Sequence, residues 1–336
     1  MTEFSTLPEG FYQQLTKTAL EGGVLFQGDG MRILTDPNVE LLPLMQAAFE
    51  VRRHYFGLGV RVHILNNVQN GLCPEDCNYC AQAVDSEAPI VKYKIKPDEE
   101  IMAGAKAAYE TGAYRYCIVL SGREPDKKRV DEMSALVKKI RAAYPVEVCL
   151  SAGFIDKEAA SQLKEAGLSR YNHNLNTAES HYGEICTTHS YAQRLATLEA
   201  AKGVGLEVCS GMIIGMGESP GEIWTVAQKL RELNARSIPL NFYVHVEGAK
   251  LGERHQLTPE YCLRALALFR FSNPDAEIRA AGGREVNLRS LESLALYPAN
   301  SLFSEGYLNV GGHGSDRTMQ MIADAGFSVE SVEEVG

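Results

Sequence analysis

From residue 60 onward the chain repeats one unit: a short apolar stretch, then a longer amphipathic one, often with glycine at the join. Eight strand-like stretches fall at 60–66, 114–120, 146–150, 168–173, 206–214, 238–244, 277–281 and 300–303. Helix-like stretches between them end at Thr111-Gly112, Ala166-Gly167 and Val204-Gly205, where glycine supplies the left-handed turn that stops a helix. Strands that alternate with helices pair in parallel, since a helical crossover returns the chain to the same end of the sheet. Eight such units predict an α/β fold, a (β/α)8 TIM-type barrel; local pattern leaves an open doubly wound sheet as the alternative. Ahead of the repeat, two helices are predicted near 9–21 and 38–55, joined by a glycine-containing connection. The expected organisation is a helical extension over 1–57 and a barrel with a C-terminal cap over 58–336.

Composition narrows the function. The 336 residues, 45% of them hydrophobic, suffice for one large core. A formal net charge of −10 argues against a phosphate backbone as partner, so no nucleic acid is expected. No apolar run approaches the ~20 residues that cross a bilayer, so no membrane is expected either. The opening MTEFSTLPEG has neither the basic start nor the apolar centre of a signal peptide. Eight cysteines without such a signal predict a cytoplasmic chain in which thiols serve as metal ligands or core residues.

Three of those cysteines, Cys73, Cys77 and Cys80, are spaced C-x3-C-x2-C in a loop after the first predicted strand. Three soft thiolates can hold three irons of a four-iron, four-sulfur cube, and with no fourth cysteine nearby one iron stays open to a ligand. A structural zinc site would show four ligands in paired spacings, and the nearest extra candidate, His63, lies back in the strand. A disulfide reading fails on odd number and compartment.

Cys117, Cys149 and Cys209 each sit in a different predicted strand. Alternate residues of a barrel strand point inward, so three such thiols can converge, although any single one would be an ordinary small core residue. Arg279, in the seventh predicted strand, is a buried cation that needs an anion: a thiolate-rich cluster, or a barrel carboxylate such as Glu207. Arg115, two residues before Cys117, is a further electrostatic partner. Cys186, in a loop-like stretch, and Cys262, in a helix-like one, are read as non-ligands, and His173 and His245 as satisfied barrel histidines.

The loop triplet, with aromatic Tyr79 before its last cysteine, resembles the signature of radical S-adenosylmethionine (SAM) enzymes. Over 56–327 the chain resembles the biotin synthase family. The carrying stretches are NGLCPEDCNYCAQ (70–82), YNHNLNT (171–177), CSGMIIGMGE (209–218) and RAAGGRE (279–285). The resemblance implies a [4Fe-4S] cluster on Cys73, Cys77 and Cys80 that binds SAM. It implies a [2Fe-2S] cluster on Cys117, Cys149, Cys209 and Arg279, regarded in the family as the sulfur donor. Dethiobiotin would lie between them and receive sulfur at C6 and C9 after 5′-deoxyadenosyl radicals remove hydrogen. Tyr79, Asn174, Asn176, Gly215 and Glu218 would meet SAM, and Asn172 and Asn241 dethiobiotin. Some relatives carry Asp where this chain has Asn176, so one charge is removed near the SAM ribose. A flavodoxin- or ferredoxin-type electron donor and a homodimer are the further expectations.

Overall fold

The computed structural model describes residues 6–254 and 257–332; residues 1–5, on which the signal-peptide reading partly rests, lie outside that range. The strands are β1 (Gly59–Gln69), β2 (Arg115–Leu120), β3 (Glu147–Ser151), β4 (Arg170–Asn172), β5 (Glu207–Cys209), β6 (Met212–Ile214), β7 (Ser237–Phe242), β8 (Glu277–Ala280), β9 (Ser301–Ser304) and β10 (Ser328–Val329). Pairing is parallel from β1 through β5, then β7, β8 and β9, and β9 returns to β1. The sheet therefore closes, and the open-sheet alternative falls.

All eight predicted strands are present, with one change. The stretch 206–214 is two pieces, β5 and β6, both paired to β7. The cause lies at Gly211, where a Cβ would come within 1.8 Å of the Pro239 carbonyl oxygen. So close a backbone approach leaves no room for a regular strand with a side chain there. Together β5 and β6 act as one stave, which makes eight around the barrel; β10 pairs with the start of β1 and covers its lower end.

Side chains divide by the two-residue period of a strand. Tyr116, Ile118, Val148, Leu150 and Tyr171 point outward and pack under the surrounding helices. Leu65, Cys117, Cys149, Asn172, Cys209 and Arg279 point inward and line an enclosed cavity. Several of the barrel-wall helices start on side-chain caps that satisfy free N–H groups. Asp126 and Asp156 accept from Arg129 and Ala159, while Ser190 and Ser219 form reciprocal capping boxes with Gln193 and Glu222. Gly112, Gly167 and Gly205 all have the positive φ expected of helix stops.

The extension holds three helices instead of two: α1 (Phe11–Leu20), α2 (Gln27–Thr35) and α3 (Leu41–Phe56). The expected connection is largely α2, whose Gly28 and Gly30 masked its periodicity. Gly30 is needed by packing, because a Cβ there would sit 2.5 Å from the Trp224 ring. All three helices share one hydrophobic core with the helices Pro220–Glu232 and Pro259–Ser272 of the barrel wall. Among the described residues no helix is long and apolar enough to cross a membrane.

Candidate active site

The loop after β1 is closed at its base by a two-way backbone bridge between Asn70 and Tyr93. Inside it, Cys80 N–H donates to Cys77 O (2.9 Å), and Gly71 N–H donates to Gln82 Oε1 (2.9 Å). Asp76 fastens the loop to the next wall by accepting from both backbone N–H groups and both hydroxyls of Thr187 and Thr188. Cys73, Cys77 and Cys80 all line a broad cavity at the end of the barrel where the strands finish. Burial pushes Cys73 up and Cys80 up to about 11, so only a bound cation would keep them as thiolates.

The amides expected nearby line the same cavity: Asn172, Asn174, Asn176 and Asn241. They do not form one extended face, because β4 ends at Asn172 and Asn176 takes a left-handed φ of 69°. Asparagine tolerates that conformation, and its Nδ2 donates to the Tyr79 hydroxyl at 2.6 Å. Asn174 Oδ1 accepts from Gly211 N–H (3.1 Å), filling a ladder position at the strand break. Asn241 Oδ1 accepts from Gly282 N–H (2.9 Å), which leaves its amino group toward the cavity with one long contact to Met212 O (3.5 Å).

Gly215 and Glu218 are not brought to the cavity wall; of that glycine-rich segment only Ile213 lines it. The Glu218 carboxylate turns back and accepts from Gly215 N–H (2.7 Å) and Met216 N–H (2.8 Å). It therefore stabilises the turn rather than facing a ligand. Burial raises its pKa. His245 is exposed, not a barrel histidine, whereas His173 is buried as expected.

Deeper in the barrel, Cys117, Cys149 and Cys209 converge with Arg279 around the enclosed cavity. The register explains it: Cys117 is opposite Cys149 in the β2–β3 ladder, and Asn172 is opposite Cys209 in β4–β5. Arg279 Nη1 stands 3.9 Å from Cys209 Sγ, and Asn172 Nδ2 donates to the same sulfur (3.2 Å). The partner of Arg279 is Glu277, not Glu207, which pairs with Arg170 instead (2.7 Å). Burial alone would lower the Arg279 pKa, but the Glu277 carboxylate together with Cys209 and Cys117 outweighs it, and the charge is held.

Sequence reading missed this floor. Glu277 also meets His63 Nε2 (3.1 Å), Arg170 (3.1 Å) and Arg61 (3.5 Å), and Ser237 Oγ accepts from Arg279 at 2.7 Å. Burial raises the Glu277 carboxyl, but Arg170, His63 and Arg279 together pull it well below the carboxylate range. Burial, followed by the Arg279 cation, pushes His63 down to about 3, so the imidazole is neutral. The available signal was spacing: Glu277 and Arg279 are two apart on one strand and must face the same side.

The donor sets fit two iron–sulfur clusters. Among the described residues, Cys77, Cys186 and His189 are the one group of three whose ligand atoms all lie within 4.8 Å. The loop triplet is not such a group, so its sulfurs are spread too widely for one ion but suit a multi-iron cage. At the deeper site the Nε atoms of Arg279 and Arg115 are buried donors without a partner, as an anionic group would require.

A triplet of loop cysteines at the mouth of a parallel barrel, beside an amide-lined cavity, defines a radical SAM enzyme. Residues 69–230 accordingly match the Radical SAM superfamily, and residues 239–328 match the Biotin and Thiamin Synthesis associated domain. The barrel resembles that of methylornithine synthase (TM-score 0.82, 19% identity, 96% of this chain and 98% of that one). It also resembles the hydrogenase maturase HydG from Carboxydothermus hydrogenoformans (TM-score 0.77, 17% identity, 95% and 79%). The chain is 67% identical to a biotin synthase of Magnetococcus marinus over 95% of its length and all of that protein's. It is 52% identical to a biotin synthase of Acaryochloris marina, covering 90% and 88%. The chain belongs to the biotin synthase family.

Proposed function

We propose that this protein is a radical SAM sulfurtransferase that makes biotin from dethiobiotin by inserting sulfur between C6 and C9. The observation that carries the reading is two cysteine sites stacked in one barrel. Val119, Ser151, Asn172 and Tyr307 line both cavities, so a small substrate held there touches both sites.

Cys73, Cys77 and Cys80 would hold the [4Fe-4S] cluster; Cys117, Cys149, Cys209 and Arg279 would hold the [2Fe-2S] cluster. Bound there, the first cluster would supply the electron for reductive cleavage of SAM, and the second would supply sulfide. The chain's own residues bind, orient and keep the site dry. Tyr79, Asn174 and Asn176 face SAM, and neutral amides can donate to and accept from ribose hydroxyls at once. Asn172 and Asn241 face the ureido ring, where the Asn241 amino group is the donor left for a carbonyl. Leu120, Phe154, Phe242 and Tyr307 line the cavity and exclude water, which a carbon radical would otherwise meet. Gly215 and Glu218 support SAM binding one step back, through the turn they hold.

Residues 1–57 serve as a helical extension, and 58–336 as the barrel with its C-terminal cap. A redox partner must supply electrons, and a flavodoxin- or ferredoxin-type carrier in the cytoplasm suits the family. A homodimer is the working assembly, supported by the family resemblance and checked by light scattering. The test of function is an anaerobic assay of reconstituted, reduced protein with SAM and dethiobiotin, read by mass spectrometry. Biotin together with 5′-deoxyadenosine is expected; deoxyadenosine without biotin would sink the substrate assignment.

A further inference from the structure

Cys186 lies outside both cysteine sets, at the end of the helix Glu179–Ile185. It is buried, and its Sγ is 3.7 Å from that of Cys77. Two sulfurs on one tetrahedral metal, each bonded at ~2.3 Å, stand ~3.8 Å apart. A metal held by Cys77 therefore lies within bonding reach of Cys186 without movement of the backbone. Asp76 fixes the thiol in place, with Oδ1 3.1 Å from Cys186 Sγ, and is itself tied down by Thr187 and Thr188.

His189, the third member of this group, is already engaged. Its Nδ1–H donates to the Glu75 carboxylate and its Nε2 accepts from the Arg194 guanidinium at 2.9 Å, so its one lone pair is not free for a metal. Cys262 is the contrast: it is fully buried in the helix Pro259–Ser272, and none of the sulfur contacts above involves it.

We propose that Cys186 is a reserve ligand for the iron that Cys77 holds. In the exchange the Cys77 sulfur–iron bond breaks and the Cys186 sulfur–iron bond forms. The thiol proton passes from Cys186 to Cys77, and no electron moves. The loop and the end of the helix Glu179–Ile185 together offer four thiols to a cluster that needs three, which guards that one corner while the cluster is assembled or damaged. The proposal rests on the loop-triplet assignment, and the test separates the two.

The experiment reconstitutes single and double variants with iron and sulfide and reads the first cluster by low-temperature EPR, with and without SAM. Cys77→Ala is expected to keep a SAM-responsive signal. Cys73→Ala, Cys80→Ala and the double variant C77A/C186A are expected to fall about tenfold or more, since losing even an outer-shell partner of a ligand costs about 10–100-fold in metal affinity. Cys186→Ala alone is expected to keep the full signal. A C77A protein as empty as C80A overturns the proposal, and so does a C186A protein that cannot hold the cluster. Signals retained in both C73A and C80A would instead overturn the triplet assignment, and the reserve ligand with it. A second measurement avoids the double variant: cluster-free protein is titrated with Co²⁺. The thiolate-to-cobalt absorption should drop in C186A as far as in C77A, and an unchanged C186A spectrum overturns the proposal.

Discussion

Arg279 is the side chain on which the deeper site turns. Nη2 is held by Glu277 and Ser237, while Nη1 stands near Cys209 and Nε is buried without a partner. Replacing it should alter the second cluster without preventing its assembly, because three thiols remain. Arg279→Ala is expected to retain that cluster with a changed visible spectrum, and its complete absence after reconstitution would contradict the ligand set. Glu277 is a harder loss. Arg61, Arg170 and Arg279 all lean on this one buried carboxylate, and breaking a buried pair costs roughly 3–5 kcal/mol. Urea denaturation of cluster-free Glu277→Gln should show a deficit of that order; a change below ~1 kcal/mol would mean that the floor is not an ionic hub. Sequence made Arg279 legible, since a cation in a predicted inner strand demands an anion. It did not single out Glu277, since a strand pattern shows which side chains share a face and not which of two carboxylates lies within reach.

The fifth stave shows how one residue shapes an element. β5 and β6 are separated because Gly211 runs against the Pro239 carbonyl, and the break frees Gly211 N–H for Asn174. A methyl group at Gly211 has nowhere to go, so Gly211→Ala should destabilise the barrel by more than about 3 kcal/mol, the overpacked end of the range. Thermal unfolding of the cluster-free variant is the check, and an unchanged midpoint would mean that the backbone can yield there. The strand–helix alternation and the glycine stops made the eight staves and their closure readable in advance. The break was hidden because a glycine inside an apolar run signals a close approach without naming what approaches. α2 was hidden for the opposite reason: two glycines lower helix propensity, and packing against the helices Pro220–Glu232 and Pro259–Ser272 restores the helix. Cys186 was beyond any local pattern, because its meeting with Cys77 joins segments 109 residues apart.

Across the whole molecule, closure of the barrel buries ionisable groups along its axis, and this has a consequence in acid. His173 packs against Phe154 with ring centroids 5.0 Å apart, and Arg194 Nη1 stands 3.4 Å from its Nε2. Burial, then the charges of Arg194 and His189, push its pKa well below that of a free imidazole. In the unfolded chain the same residue titrates near 6.5. Between those two values the unfolded state binds a proton that the folded state does not, so stability rises with pH across the window. It is level above about pH 6.5 and falls by up to ~1.4 kcal/mol per unit below it. His63, also neutral and buried, acts in the same direction. Cluster-free protein should therefore lose roughly 1 kcal/mol on account of His173 alone between pH 7.5 and 5.5, measured as the shift in urea unfolding free energy. His173→Asn cannot titrate, so it should flatten the slope by that share even if the variant is less stable at both pH values. An equal slope in wild type and variant would mean that His173 gains its proton inside the folded barrel, and that the wall of the loop-cysteine cavity is wetter than its packing implies.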